Sequence, residues 1–399
     1  MRFYIQMGHG MQKICTELSK YWNGATVILS PLNISPEKLN TFSATIQKTG
    51  GSILLDPQIY SPRKYHRNLQ KYDYFPKSGI TKIEMGDCDA VISSLAKINT
   101  EINSEAFILP SQTITTFNER WDMIQKVVAN KGRHYANERK LYQTISLSGD
   151  AINEETQVES IIQSASQWDV DGVYIVCEHP QRYYLVDKPL WVTNLLTLVA
   201  GIKRSGKEVV VGYVNHQLLC LALAKCDAIA SGNFLNVRWF QPEHFETIDS
   251  DEKSRRTTWY YCPQALSEYK VTYLDVANRA GLLQSMLPPS NMKNLYSEIL
   301  FKGAKPSATN YKEPDSFKHY LHCLKQQCEN AVQGSYSQTR DALIVSLKTA
   351  SALIAGLREA KIKGQDRDFN EIVDVVEAAV SLYDKEFGFV MAQEWDLLK

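Results

Sequence analysis

The sequence predicts an α/β fold, an eight-stranded (β/α)8 barrel of the TIM type over residues 1–240, followed by an irregular and then a helical C-terminal part. Three observations predict it. Short apolar runs rich in β-branched residues recur eight times along the first part of the chain. Stretches with helical periodicity separate them, as repeated βα units require. Runs such as Gly172-Val173-Tyr174-Ile175-Val176-Cys177 and Val209-Val210-Val211 lack polar alternation, as in parallel strands covered on both faces. A doubly wound open parallel sheet is the alternative architecture, and the count of eight favours the barrel.

The strands are expected at residues 2–7, 26–29, 52–55, 106–109, 142–147, 172–177, 208–212 and 227–230. Helices are expected at 11–22, 36–49, within 89–102, and at 118–140, 154–167, 190–205 and 216–225. Ser35 before Pro36-Glu37 supplies a cap and a proline whose missing N–H costs nothing in the first turn. Asn153 before Glu154-Glu155 is read as a second cap, with acidic residues at the positive end of the helix dipole. Residues 63–87 fit neither period and read as a long loop carrying Tyr65, His66, Tyr72, Tyr74 and Phe75, aromatic rings expected to stack on bases.

The chain has 399 residues, and a barrel absorbs about 250 of such a length, which leaves one appendage. Three regions result: the barrel at 1–240, an irregular extension at 241–315 with an extra strand over 257–262, and a helical region at 316–399 with helices at 316–330, 337–363 and 369–387. Lys+Arg and Asp+Glu are 44 each, so no net charge draws the protein to nucleic acid or an anionic membrane. No run approaches the about 18 apolar residues of a membrane span. The first residues lack the apolar core of a secretion signal, and the eight cysteines are widely spaced, so a cytoplasmic, reducing location is expected.

In such a barrel ligands meet residues at the C-terminal ends of the strands. Those positions include His9, Ser30, Asp56, Gln58, Gln112, Asp150, Glu178, His179, Asn215, His216, Ser231, Asn233 and Arg238. Asp56 closes the apolar run Ile53-Leu54-Leu55, and the prolines at 57 and 62 stiffen the loop after it; it suits a catalytic acid or a capping carboxylate equally. Gly8-His9-Gly10 is either an anion cradle at a helix start or a tight turn. Arg238, beside Trp239 and Phe240, either holds a phosphate or pairs with a carboxylate while the aromatics close the barrel. Lys253, Arg255 and Arg256 form a small basic cluster among acids. His319, His322 and Cys323 share one helix face, with Cys328 two turns on, but a closed zinc site needs four ligands, and core packing is the expectation. No GxSxG, Walker A or GxGxxG pattern occurs.

The segment Val209-Val210-Val211-Gly212-Tyr213 to Leu218-Leu219, continued by Ala222-Leu223-Ala224-Lys225-Cys226-Asp227-Ala228-Ile229, resembles the late strands of tRNA-guanine transglycosylase barrels. Residues 53–58 are similar in placement to that family's early strand ending in a catalytic Asp. The resemblance implies base exchange in RNA or, in related members, DNA, through a late-strand carboxylate nucleophile and a second, early-strand carboxylate. Asp56 would take the early role. The nucleophile's place falls near Ala230, which has no carboxylate, and Cys262 lacks the neighbours of the family's zinc cluster. The chain therefore uses another nucleophile or has lost base exchange.

Two functions are expected from this. In the first, a pentosyltransferase- or glycosylase-type barrel binds a nucleobase, nucleotide or nucleic acid, without cofactor or metal: Asp56 is the acid or base, Gln58, His9, Asn215, His216 and Ser231 orient the ligand, and Arg238 holds phosphate. In the second, the barrel is a non-catalytic subunit that docks on a protein partner through the helices of 316–399. A lyase or aldolase using lysine is disfavoured, because no expected strand ends in lysine.

Overall fold

The computed structural model describes residues 1–61, 68–75, 88–245 and 257–398. The barrel strands are β1 (Arg2–Gln6), β2 (Thr26–Leu29), β3 (Ser52–Leu55), β4 (Ala106–Leu109), β5 (Lys140–Leu147), β6 (Gly172–Cys177), β7 (Glu208–Val211) and β8 (Ala228–Ser231). They run parallel in the order β3-β2-β1-β8-β7-β6-β5-β4. β1 pairs with β8, Phe3 opposite Ile229, and the edge strands β3 and β4 meet, which rules out the open alternative. At the remaining seam the Glu105 N–H donates to the Ile53 carbonyl at 2.9 Å, so the cylinder is nearly closed.

Alternation along the strands sorts the core into two bodies. Tyr4, Ile28, Leu54, Ile108, Tyr142, Tyr174, Val176, Val210 and Ala230 fill the barrel interior. Phe3, Ile5, Val27, Leu29, Ile175, Val209 and Ile229 face the surrounding helices. The interior tyrosines need room from neighbouring strands. A Cβ on Gly172 would lie 2.6 Å from the Tyr142 ring, and one on Gly212 would collide with the Tyr174 hydroxyl.

The wall is built by α1 (Gln12–Tyr21), α2 (Pro36–Gln47), α3 (Cys88–Glu101), α4 (Glu119–Tyr135), the short α5 (Gly149–Asn153), α6 (Glu155–Ser166) and α7 (Pro189–Arg204). Ser35 is the extended residue before Pro36, as expected, although its hydroxyl makes no capping bond to the backbone. Asn118 caps α4 through the Trp121 N–H at 2.9 Å. Asn153 does not cap α6. It ends α5, which Ser148 caps, and the residue before α6 is Glu154.

The larger departures come after β7. Residues His216–Ala224 form a 3-10 segment in place of the expected α-helix, and among the described residues the next α-helix is α8 (Val271–Arg279), which was not expected from the sequence. The expected extra strand is β9 (Trp259–Cys262), and its partner is β10 (Ser267–Lys270), antiparallel with Ser267 opposite Cys262. The three expected C-terminal helices are α9 (Glu313–Ala331), α10 (Tyr336–Glu359) and α11 (Ile372–Glu394). They complete the wall: α9 packs on β1, α1 and the 3-10 segment, α10 on that segment and α11, and α11 on α7. That outer cover is why α7 is buried almost all round. All eight cysteines are buried free thiols. No helix among the described residues is long and apolar enough to cross a membrane.

Candidate active site at the barrel mouth

Asp56 follows β3 by one residue and turns into the C-terminal end of the barrel, where it is fully buried. Its Oδ1 accepts the Tyr60 hydroxyl at 2.7 Å and the Gln58 N–H at 3.0 Å. Oδ2 accepts the Tyr213 hydroxyl at 2.7 Å. The Tyr174 hydroxyl lies 3.5 Å from Oδ2, and with one proton to give it donates to Gln6 Oε1 at 3.0 Å. Burial pushes the Asp56 carboxyl up to about 6, although the bonds from Tyr213, Tyr60 and the Gln58 N–H pull the other way. Burial and the neighbouring carboxylate hold the three phenols well above their ordinary value, so all three remain protonated donors.

Gln58 ties this cage to the next strand. Its Oε1 accepts from the Ser30 hydroxyl at 3.0 Å and the Leu32 N–H at 2.9 Å, while its Nε2 donates to the Tyr213 hydroxyl at 2.9 Å. Gln58 and Tyr213 both sit in the left-handed backbone region, at φ 56° and 54°, which costs a residue with a Cβ about 1 kcal/mol or more. Such strain at two residues serving one carboxylate is repaid by the cage they complete. Above it, Tyr60, Tyr213, Phe240 and Phe245 pack edge to face, with Tyr60 and Phe245 centroids 4.9 Å apart, and plug the mouth. Two buried amide groups of the interior and rim, Gln6 Nε2 and Asn233 Oδ1, have no hydrogen-bond partner.

The structure thus brings Asp56 and Gln58 together and adds Tyr60, Tyr174, Tyr213 and Gln6, none of which was singled out from the sequence. Tyr60 had a signal, lying in the Asp56–Pro62 stretch. Tyr174 lay inside an apolar run and read as core. His9 is exposed at the rim, where its carbonyl accepts from Asn233 at 3.4 Å, and Gly10 has φ 65°, as the tight-turn reading requires.

The other expected site residues point elsewhere. Ser231 is buried on the outward face of β8, opposite in alternation to the inward Ala230. Asn215 starts the 3-10 segment, accepting from the Gln217 N–H at 2.9 Å and donating to the Tyr184 carbonyl at 2.8 Å. His216 lies outside the barrel among Tyr261, Tyr320 and Phe369. Of the two readings of Arg238, the structure has the ion pair. The guanidinium donates to both Glu268 oxygens at 3.1 Å and to the Gly232 carbonyl at 2.9 Å, and lies 3.5 Å over Tyr320. It has no face toward the mouth that would hold a phosphate. Phe240, not Arg238, enters the barrel.

Two further expectations are corrected or located. Tyr72 and Tyr74 are buried, with their hydroxyls donating to the Ile34 and Pro57 carbonyls at 2.8 and 2.9 Å, so they pack inward instead of offering faces for stacking. Tyr65, His66, Lys253, Arg255 and Arg256 lie outside the described residues. His319 behaves as core: its Nε2 donates to the Tyr261 carbonyl at 2.7 Å, which leaves Nδ1 to accept from Asn294 at 3.0 Å. The resemblance's Asp227 sits at the opposite end of the barrel, paired with buried Lys203 at 2.8 Å.

No family model matches the chain, and no curated protein matches its sequence. Among solved structures, a glucosidase from Croceicoccus marinus is 9% identical over 56% of this chain, with a TM-score of 0.35; the chain spans 57% of that protein's length. A 3-dehydroquinate dehydratase from Aquifex aeolicus is 10% identical over 62% of this chain and 96% of its own, at 0.35. A GH10 endoxylanase from a sugarcane soil metagenome is 10% identical over 82% of this chain and 96% of its own, at 0.37. The barrel assignment rests on the strand pairing given above.

Proposed function

We propose that the barrel mouth binds a nucleobase, free or within a nucleotide or nucleic acid, and acts on its N-glycosidic bond with Asp56 as the acid or base. The observation that carries this is the state of Asp56: a buried carboxyl held at about 6 at a strand's C-terminal end, ringed by phenols and an amide. A carboxyl near neutrality exchanges a proton at physiological pH, as general acid–base chemistry needs. The second N–H of Gln58 Nε2 and the unpartnered Gln6 Nε2 add donors for a base edge. The resemblance to tRNA-guanine transglycosylase barrels supports the same early-strand role. Entry of a base requires Phe240 and Phe245 to give way above Tyr60.

Ala230, inward and buried where that family places its nucleophile, limits the chemistry. Asp56 protonates or deprotonates a base, and the attacking group is water or a substrate hydroxyl. The test is release or exchange of labelled guanine from RNA and DNA oligonucleotides by the purified chain, beside Asp56→Asn. Turnover lost in the variant with binding kept supports the reading; equal turnover in both removes it.

A second reading is that the barrel is a non-catalytic subunit. Asp56 has protein donors on both oxygens and no exposure, which suits a structural hub. Leu382 and Phe389, seven residues apart on α11, are 43% and 74% exposed, which suits docking on a protein partner. Binding and turnover both absent, with a partner retained by the intact chain but lost on Phe389→Ser, selects it.

A further inference from the structure

A cavity of about 450 Å³ opens between the loop after β6, the turn at residues 235–239 and the linker from α10 to α11. Small-molecule sites are of this order, about 300–1,000 Å³. Two aromatic rings belong to its wall: Tyr183, 54% exposed, and the half-buried Trp239, on which His244 packs edge to face with centroids 5.1 Å apart. The linker supplies the polar wall. Lys363, Gln365, Asp366, Asn370 and Glu371 line the cavity, all exposed, and none of their side chains has a hydrogen bond or ion pair to another described residue.

The backbone that carries these side chains is pinned. The Phe369 N–H donates to Ser267 Oγ at 2.9 Å, Arg367 donates to Glu268 at 3.0 Å, and Asp368 accepts the Gly364 and Asn370 N–H groups at 3.0 and 3.1 Å. A ligand is spared the entropy of ordering it. Gln365 on the linker, at φ 58°, and Gln181 and Arg182 on the facing loop, at 56° and 60°, are left-handed. Strain of this kind gathers at ligand sites.

The charges narrow the class of ligand. Arg358 is tied to Asp368 at 3.6 Å and Arg182 to Glu243 at 2.7 Å. That leaves Lys363 facing two carboxylates, Asp366 and Glu371, so a phosphate or carboxylate meets net repulsion from the unpaired groups. A metal ion finds no group of three or more ligating side chains among the described residues. An apolar ligand would strip water from the linker's polar side chains and return no bond. A sugar hydroxyl both donates and accepts, so it serves carboxylate, amide and ammonium alike, while the C–H face of a pyranose ring packs on an aromatic ring.

We infer that this cavity binds a neutral saccharide, with Tyr183 and Trp239 as its stacking rings and the linker side chains as partners of its hydroxyls. The site is separate from Asp56 and its reaction.

The experiment titrates the full chain with cellotriose, maltotriose and xylotriose at millimolar concentration, and with inorganic phosphate as the anionic probe, by calorimetry and thermal unfolding. At least one trisaccharide is expected to bind saturably and raise the unfolding temperature, with an affinity unchanged by salt, and phosphate is expected not to bind. Tyr183→Ala and Asp366→Ala, both at exposed positions, each weaken that sugar about tenfold while unfolding as the parent does. Absence of binding by all three sugars overturns the proposal. So does full-strength binding by either variant, which places the sugar elsewhere. Binding that falls steeply with salt, or that phosphate matches, overturns the neutral class.

Discussion

Tyr213 donates its hydroxyl to Asp56 at 2.7 Å from a strained left-handed backbone, 157 residues along the chain. Gly212 immediately before it has no Cβ because the Tyr174 hydroxyl fills that space. Two consecutive residues after β7 thus position two of the phenols around one carboxylate.

Gly212→Ala is therefore expected to lose about 1–3 kcal/mol, the usual cost of overpacking a filled core, and to displace Tyr174 from Gln6 and Asp56. Adding Tyr174→Phe removes the colliding hydroxyl and recovers part of the loss. Urea unfolding of the parent, the single and the double variants checks this. A Gly212→Ala chain as stable as the parent contradicts the crowding.

Asp56 makes stability depend on pH in a definite direction. Its folded pKa of about 6 lies above the ordinary 3.8, so between these values the folded state holds a proton that the unfolded chain has released. Stability from this group is fully present below about 3.8, falls as pH rises to about 6 and is flat beyond, by about 3 kcal/mol in all. Asp56→Asn removes this pH-dependent contribution. The difference in unfolding free energy between the two proteins, measured across that window, should shift in the variant's favour as pH rises; a constant difference refutes the assigned shift.

The barrel was legible in the sequence because the alternation of short, apolar, β-branched runs with stretches of helical period is a local signal. Six of its eight strands match in both bounds or differ by one residue at one end, with Thr26–Leu29 and Gly172–Cys177 among those that match in both. Asp56 and Gln58 were legible because Asp56 follows β3 directly and Gln58 lies two residues on. Tyr174 and Tyr213 were not, since their meeting depends on which faces close around the barrel axis, a property of tertiary register. Arg238 was ambiguous for the same reason: its partner Glu268 lies 30 residues away on β10. The 3-10 segment at His216–Ala224 has an apolar, alanine- and leucine-rich sequence that suits an α-helix, and local propensity does not report that it is wedged between α7, α9, α10 and α11.

Arg238 and Arg367 both bind Glu268, at 3.1 and 3.0 Å. Burial raises the Glu268 carboxyl, but Arg367 and Arg238 more than reverse this and bring it to about 2. The folded pKa lies below the ordinary 4.5, so this contribution is present above about 4.5 and lost as pH falls toward 2. Arg238→Met leaves a buried carboxylate with one of its two cations and is expected to cost about 3–5 kcal/mol at neutral pH. Pairing it with Glu268→Gln should recover a large share. If both variants lose the same amount, the ion pair does not set the energy of this junction.

The C-terminal helices have two separable surfaces, and truncation and substitution distinguish them. α9 covers β1 and α1: Trp22 donates to His322 Nδ1 at 3.1 Å, Lys318 reaches Glu17 at 3.1 Å, and Phe317 meets Phe234 at a centroid distance of 5.0 Å. Deleting residues 313–399 uncovers this wall together with the outer face of α7, so the remaining barrel is expected to aggregate or bind a hydrophobic dye, even though all eight strands are present. A monodisperse, cooperatively unfolding 1–312 fragment contradicts that role. Leu382 and Phe389 instead face solvent, so their joint replacement by serine should leave the unfolding temperature within a few degrees of the parent. Size-exclusion chromatography of that variant isolates association from folding: a change of oligomeric state or loss of a bound partner with unfolding preserved assigns the exposed face of α11 to docking, and no change assigns it to solvent.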